Sequence, residues 1–432
     1  MDPLRTKFIA SLRFLERYTK TDMVFIARQG PWLILSQGIA MAASLLLAVA
    51  FGHLASQDTY GNYKYVLSLW GICSAFTLSG IGTAVMQAAA RGYDGTLRQG
   101  FRLNLRWSIG SIVIALGMAA YYYFFEQNLF LATSLCIVAI FSPFISSFSL
   151  FDPFLTGKKE FKRNSIYLSL NGLIPVLALI ATLFVTDRAI VFIAVFFVSN
   201  LLTDAVTYAL AARSAKNDTN DPGLLSYGAH LSIMGIVSAL ADRIDNIAMF
   251  ILLGPVNLAL YTFAIAIPEQ IKQMVKFVTP LSLARFAERS IDEIRVTIWR
   301  RISILALIIA LGILLYIVCA PLIFKILFPQ YMEAVAFSQW YAPSILFAVL
   351  TTPIVSILQA HKKTRELYII SSISSVLLLV ALPLGIYMYG IAGAIAAQFA
   401  YRMAAAVVTV WQFTKKQSGP GAQEPVLSSV LL

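Results

Sequence analysis

Eight charged side chains stand inside long apolar stretches of this sequence, and six of them crowd into two neighbouring stretches. Asp242, Arg243 and Asp245 lie on one, Glu269, Lys272 and Lys276 on the next, while Asp204 and Arg402 stand on two others. A charge in hydrocarbon is costly unless paired or hydrated, so such a cluster marks a polar pathway or a neutral network tying helices together. Counting inward from Gly254 and Leu258 at about 1.5 Å per residue puts Asp242, Arg243 and Glu269 roughly 16–18 Å deep. Glu269, Lys272 and Lys276 follow i, i+3, i+7 and share one helix face. Arg243, Lys272, Lys276 and Arg402 are therefore candidate ligands for an anionic group, through charge-assisted hydrogen bonds. The other reading pairs Arg243 with Glu269, and Lys272 with Asp242 or Asp245, and the eight charges sum to zero. Asp242, Asp245, Glu269 and Asp204 are candidates for that charge network, or for holding a coupling ion, H+ or Na+, on one side of a cycle.

The elements that position these residues follow from composition. The 432 residues are 59% hydrophobic and only 12% charged, which excludes an ordinary water-soluble core. Twelve runs are long enough to cross about 30 Å of hydrocarbon as helices. They are Pro31–Phe51, Tyr63–Met86, Trp107–Phe125, Leu129–Phe151, Ser165–Thr186, Ala189–Ala212, Tyr227–Leu253, Leu258–Leu283, Ile302–Phe324, Trp340–Ala360, Leu367–Met388 and Ile391–Phe413. The sequence thus predicts an all-α polytopic membrane protein.

Lysine and arginine fix its orientation. Of 33, 26 fall ahead of the first run or in every second gap after it: Arg91, Arg98, Arg102 and Arg106 follow the second run, Lys158, Lys159, Lys162 and Arg163 the fourth. The opposite gaps hold only Lys64, Arg188 and Lys325. Both termini are expected on the cytoplasmic side of a bacterial inner membrane. Lys64, close to the end of its run, reads as an interfacial anchor. The formal net charge of +12 is then topogenic and meets anionic lipid, not nucleic acid. The expected organisation is a basic amphipathic segment (1–30), an N-lobe (31–212), a cytoplasmic linker (213–226), a C-lobe (227–413) and a disordered tail (414–432).

Two internal matches share one offset. Gly52 to Tyr60 answers Gly254 to Tyr261, and LTGKKEFKRNSIYLSL answers LQAHKKTRELYIISSI, with Leu155 against Leu358. Duplication of a six-helix unit follows, and because six is even the two lobes should be related by a pseudo-two-fold axis along the membrane normal. Nine prolines fall inside or at the ends of runs, Pro268 and Pro343 among them, and each can kink its helix. A kink at Pro268 would open backbone carbonyls beside Glu269.

Gly52, Tyr60, Gly61 and Tyr63, the GIGTAVMQAAAR run from Gly80 to Arg91, ADRIDNIAMFILLGPVNLALYTFA from Ala241 to Ala264, and YGIAGAIAAQ near the end carry a resemblance. The chain resembles the polysaccharide transporter family, which includes O-antigen and exopolysaccharide flippases, within the multidrug, oligosaccharidyl-lipid and polysaccharide exporter superfamily. The motifs are loose, and with the twelve-run layout the likeness extends over residues 30 to 413. It implies transfer of a lipid-linked oligosaccharide, typically bound to undecaprenyl diphosphate, between leaflets, with polysaccharide polymerase and export machinery as further partners. It also makes Asp242 an acidic position of the kind seen before the glycine-containing loop in that family.

Neither a phosphate-binding Gly-x4-Gly-Lys-Ser/Thr loop nor a His-Glu-x-x-His zinc motif occurs, and Cys73, Cys136 and Cys319 are scattered. A transporter without cofactor or metal is expected. A cation-coupled multidrug extruder of the same superfamily is the alternative. A polysaccharide polymerase or ligase would place its chemistry in a large outer loop, and the longest outer connection here, near 325–339, is short.

Overall fold

The protein is described by a computed structural model over residues 23–287, 291–361 and 363–415, with the side chains of 23–29, 33, 234, 238, 274–297, 301, 360 and 364 left aside. Lys276 therefore lies outside the described side chains, and the expected amphipathic segment (up to residue 22) and tail (from 416) lie outside the described residues.

All the described elements are helical, and they make twelve crossings in two lobes. The N-lobe crossings are α1 (Met23–Leu54), α2 with α3 (Gln57–Ala75, Ile81–Ala90), α4 with α5 (Thr96–Trp107, Ile109–Phe124), α6 with α7 (Leu129–Phe148, Phe151–Gly157), α8 (Phe161–Leu183) and α9 (Ala189–Ala212). Then follow α10 (Leu224–Ala241), α11 (Ile244–Ala287), α12 (Ile291–Leu327), α13 with α14 (Ala334–Tyr341, Ile345–Ala360) and α15 (Thr364–Thr414). Two of these turn back on themselves: the first limb of α11 completes the seventh crossing with α10 and its second limb is the eighth, while α15 supplies the last two. In α11 the corner is Gly254, whose φ of 84° only glycine adopts without strain, and Pro255 opens the next helix with φ already set. In α15 the corner is Gly390, at φ 59°. Leu307, Leu311, Leu314, Val318 and Leu322 on α12 stand more than half exposed, an apolar face that only lipid can cover.

The cores divide unequally along the membrane normal. At the end carrying the basic gaps, each lobe has its own: Val85, Phe151, Phe154, Leu155 and Ala211 in the N-lobe, Ile298, Ile354, Ile357, Leu358 and Phe413 in the C-lobe. Leu155 and Leu358, matched across the repeat, occupy corresponding cores. At the opposite, far end one core serves both lobes, joining Phe51, Tyr60 and Val66 to Tyr261, Phe263 and Phe328. The lobes are closed over the far half and separate below it, bridged there by α10, which packs on α3 through Gly80 N donating to Ser232 Oγ at 2.8 Å.

That far-end seam depends on backbone proximity. A Cβ at Gly61 of α2 would overlap the Pro255 carbonyl oxygen, so only glycine lets α2 meet the α11 corner. Around it Tyr60 and Phe263 rings lie 4.7 Å apart and Phe263 and Tyr331 3.9 Å. Tyr65 stacks on Phe250 at 3.6 Å. At the rim Gln57 Nε2 donates to the Gln330 carbonyl (2.6 Å) and Gln330 Nε2 to that of His53 (3.1 Å).

A buried ion pair fixes the basic end of the N-lobe. Lys158 Nζ lies 2.7 Å from Asp94 Oδ2, with side chains 10% and 5% exposed, and also donates to the Ser214 carbonyl. The Lys216 amide donates to the same carboxylate, and the Asp94 amide donates to Asn217. One carboxylate thus ties the α3–α4 turn, the end of α7 and the segment leading to α10. Burial alone would raise the Asp94 carboxyl, but the Lys158 and Lys216 contacts outweigh it and hold the group below its ordinary value.

Lys158→Met, which strands that carboxylate, is expected to cost about 3–5 kcal/mol in thermal unfolding of detergent-purified protein. Because the folded-state value is depressed, the wild type's advantage over Asp94→Asn should persist through neutral pH and shrink only below about pH 4, as the carboxylate is protonated. Separately, Gly61→Leu should hold the far end open. In a background with the three native cysteines replaced by serine, Ser68→Cys should react with an impermeant maleimide only when position 61 is leucine; equal protection in both would show that Gly61 does not control closure.

Candidate functional site

Three segments converge in the C-lobe on one carboxylate. Glu269, on the second limb of α11, accepts from Tyr341 Oη at 2.6 Å and from Arg402 Nη2 at 2.6 Å on Oε1, and forms an ion pair with Lys272 through Oε2. Arg402 of α15 also donates to Tyr341 Oη, donates through Nη1 to Ser344 Oγ at 3.2 Å, and lies with its guanidinium carbon 4.8 Å from the Tyr341 ring centroid. Tyr341 and Ser344 are buried. They are presented by the 3-10 turn Ala342–Ser344, where Pro343 interrupts the tenth crossing between α13 and α14. The kink expected at Pro343 therefore shapes the site. Around Pro268, α11 keeps helical dihedrals, and its departure from them lies at Gly254. The chain also turns at Asp242 and Arg243, between the end of α10 and the start of α11.

A second polar string runs from this centre to the lobe interface. Tyr261 Oη donates to Asp245 Oδ2 at 3.2 Å, and Gln398 Nε2 donates to Tyr261 Oη at 3.5 Å. Next to Asp245, Asn246 Nδ2 donates 3.0 Å to Ser68 Oγ of the other lobe. Arg243 also crosses: a Cβ at Gly71 of α2 would come within 2.6 Å of its Nε.

The pairings differ from those expected. Among the described residues Arg243 has no ion pair with Glu269 or any other carboxylate, and its side chain and that of Asp242 are exposed. Lys272 pairs with Glu269 and not with Asp242 or Asp245. Equal depth was an insufficient criterion for pairing, since Arg243 sits where the chain turns toward α2 and Glu269 is taken by Arg402. Asp204 stays inside the N-lobe between α8 and α9, accepting from Asn171 Nδ2 at 2.6 Å, apart from the C-lobe cluster.

The helix α2 begins at Gln57, six residues ahead of the apolar run, so Lys64 lies two turns inside the helix. It shares a face with Tyr60 and Ser68, both in contact with the C-lobe, and is within electrostatic range of Arg243. Tyr341, Ser344, Tyr261 and Gln398 were not anticipated either; only the proline beside the first two was a signal. The arrangement is a set of cations, Lys64, Arg243, Lys272 and Arg402, distributed from the lobe interface into the C-lobe, two of them held by one carboxylate.

No protein-family model and no curated protein matches the sequence. Solved structures do match in fold. An inward-facing multidrug resistance MATE family transporter of the MOP superfamily aligns with a TM-score of 0.68 at 15% identity, covering 88% of this chain and 97% of that one. The lipid II flippase MurJ in an inward closed conformation aligns at 0.67 and 12% identity, over 88% and 87%. A MOP superfamily transporter from Pyrococcus furiosus, described by the reversed polarity of its binding pocket, aligns at 0.54 and 13%, over 90% and 94%. The chain is a multi-pass membrane protein with the two-lobed, twelve-helix fold of these transporters. Within that fold Arg402 and Lys272 gather around Glu269.

Stability should separate paired from unpaired cations. Tyr341→Phe removes a buried donor to Glu269 and is expected to cost about 1–3 kcal/mol, whereas Arg243→Ala should stay within about 0.5 kcal/mol of wild type. Melting of the purified variants checks both, and an Arg243→Ala loss equal to that of Tyr341→Phe would place Arg243 in the same network.

Proposed function

We propose that this protein is a flippase of the MOP superfamily that moves a lipid-linked oligosaccharide, of the undecaprenyl diphosphate type, from the cytoplasmic to the outer leaflet by alternating access. The observation that carries this reading is the cation set itself. A diphosphate cannot enter hydrocarbon bare, and guanidinium and ammonium groups at mid-membrane depth offer it replacement hydrogen bonds. Arg243, exposed at the lobe interface and without a carboxylate partner among the described residues, is the first ligand. Lys272 and Arg402 follow, with Glu269 as the internal anion that holds them until a substrate phosphate takes its place. Lys276 extends the same helix face.

In this scheme the basic end is cytoplasmic, the membrane is a bacterial inner membrane, and the separate basic-end cores correspond to access from the cytoplasm. Asp242, Asp245, Glu269 or Asp204 carries the coupling H+ or Na+, the first three beside the cations and Asp204 within the N-lobe. Polymerase and export machinery would receive the product. A cation-coupled multidrug extruder shares the fold, and buried Asp204 is the residue that would serve it.

Reconstitution into proteoliposomes with a fluorescent diphosphate-linked oligosaccharide lipid tests this. Leaflet transfer by wild type is expected, and Arg243→Ala or Lys272→Ala should slow it about tenfold to a hundredfold, the worth of one charge-assisted bond. Full transfer by both variants rejects the head-group role. Dye extrusion without glycan-lipid transfer supports the extruder.

A further inference from the structure

A second cationic site lies on the N-lobe away from the interface. At the basic end, Arg98, Gln99, Arg102 and Arg106 of α4 line a cavity of about 390 Å³ together with Asp218 and Asn220 of the segment before α10. The wall opposite α4 is fixed in place. Gln99 and Asp221 exchange two hydrogen bonds, Nε2 to carbonyl at 3.0 Å and amide to Oε1 at 3.2 Å, and the Gly95 amide donates to the Thr219 carbonyl at 3.0 Å. Arg98 pairs with Asp218 at 2.8 Å, but with side chains 59% and 81% exposed the pair holds weakly and can exchange. Arg102 and Arg106 are exposed and make no ion pair or hydrogen bond among the described residues.

What lies above them identifies the ligand. The helical ladder continues through Ser108 into α5, with the Ser108 amide donating to Asn104 and the Ile112 amide to Ser108. Ile109, Val113 and Leu116 therefore stand on the same face as Arg98, Arg102 and Arg106, and they are 62%, 62% and 47% exposed. At about 1.5 Å per residue, Arg106 lies about 4.5 Å beyond Ile109 and Arg102 about 6 Å beyond Arg106. The head-group layer on each side of the hydrocarbon is about 5–7 Å thick, so the two free guanidinium groups span it. Acyl chains have an apolar track, and phosphate has two bidentate donors at the foot of that track.

We infer that the α4 cavity is a binding site for an anionic glycerophospholipid, its phosphate between Arg102 and Arg106 and its acyl chains along Ile109, Val113 and Leu116. Arg98 is the third cation, in reach of a second negative charge if it leaves Asp218. Because Asp218 and Asn220 belong to the segment joining the lobes, occupancy is linked to how that segment sits on the N-lobe. The inference does not depend on which solute is transported.

Trp107, half exposed beside Arg106, reports on the site. Full-length protein is reconstituted with brominated phosphatidylglycerol or brominated phosphatidylcholine, and the Trp107 signal is taken as the difference between wild type and Trp107→Phe. Two arginines at the membrane surface should give about a thirtyfold preference for the anionic lipid, about 2 kcal/mol. Arg102→Gln with Arg106→Gln should abolish the preference while leaving the melting temperature unchanged. Equal quenching by the two lipids in wild type overturns the inference. So does release of the bound anionic lipid by millimolar inorganic phosphate or glycerol phosphate, which would make this a soluble-phosphate site.

Discussion

Glu269 is the anion around which the C-lobe is organised. Its two oxygens hold Arg402 from α15 and Lys272 from its own helix, and Tyr341 from the end of α13 completes the shell. Removing water from three charged groups is costly, and the loss is recovered only when geometry is good and the remaining donors find partners. Arg402 meets that condition by donating to Ser344 and stacking on Tyr341. The consequence is mechanical: α11, α15 and the tenth crossing cannot separate without exposing uncompensated charge to a low dielectric. The C-lobe is thereby built to move as a body, and relative motion is left to the lobe interface.

That interface is made of weaker material. Its rim bonds, among His53, Gln57 and Gln330, are solvent-exposed and each contributes about 1 kcal/mol net. Its centre is an aromatic plug in which Tyr60, Tyr331 and Phe328 each pack against Phe263. Aromatic contacts hold closely when formed but leave no stranded charge when parted, which suits a surface that must open and close. The Asn246 bond to Ser68 and the approach of Arg243 to Gly71 mark the inner boundary of the plug.

How much of this was legible in the sequence differs by coordinate. The count of elements was legible, because helical rise is constant: the twelve crossings in two lobes follow from counting. Azimuth was not. Arg402 reaches Glu269 from a helix more than a hundred residues away, and nothing in residue spacing says which face of α15 meets α11. The two turns of α2 ahead of Lys64 were not legible either, because hydropathy finds the apolar run and not the helix, which begins earlier with Gln57, Asp58 and Asn62. Proline alone did not say how each helix would respond: Pro343 lies in the 3-10 turn between α13 and α14, beside Tyr341 and Ser344, while around Pro268 α11 keeps helical dihedrals.

On the proposed function, an internal anion also suits the two journeys a carrier must make. Without substrate, Lys272 and Arg402 would be an uncompensated pair of cations crossing a changing environment, and in low dielectric such charges resist relocation. Glu269 neutralises one of the two and, with Tyr341 and Ser344, satisfies their donors, so the empty lobe can reorient. On the proposed function a substrate diphosphate competes with Glu269 for those same cations, and bound and unbound states differ in which anion is held, not in whether one is present. Arg243 stands outside that exchange, and this gives it a distinct part: it is available to an incoming anion before any internal bond is broken. On the proposed function, entry at the interface would precede, and lower the cost of, opening the Glu269 cluster.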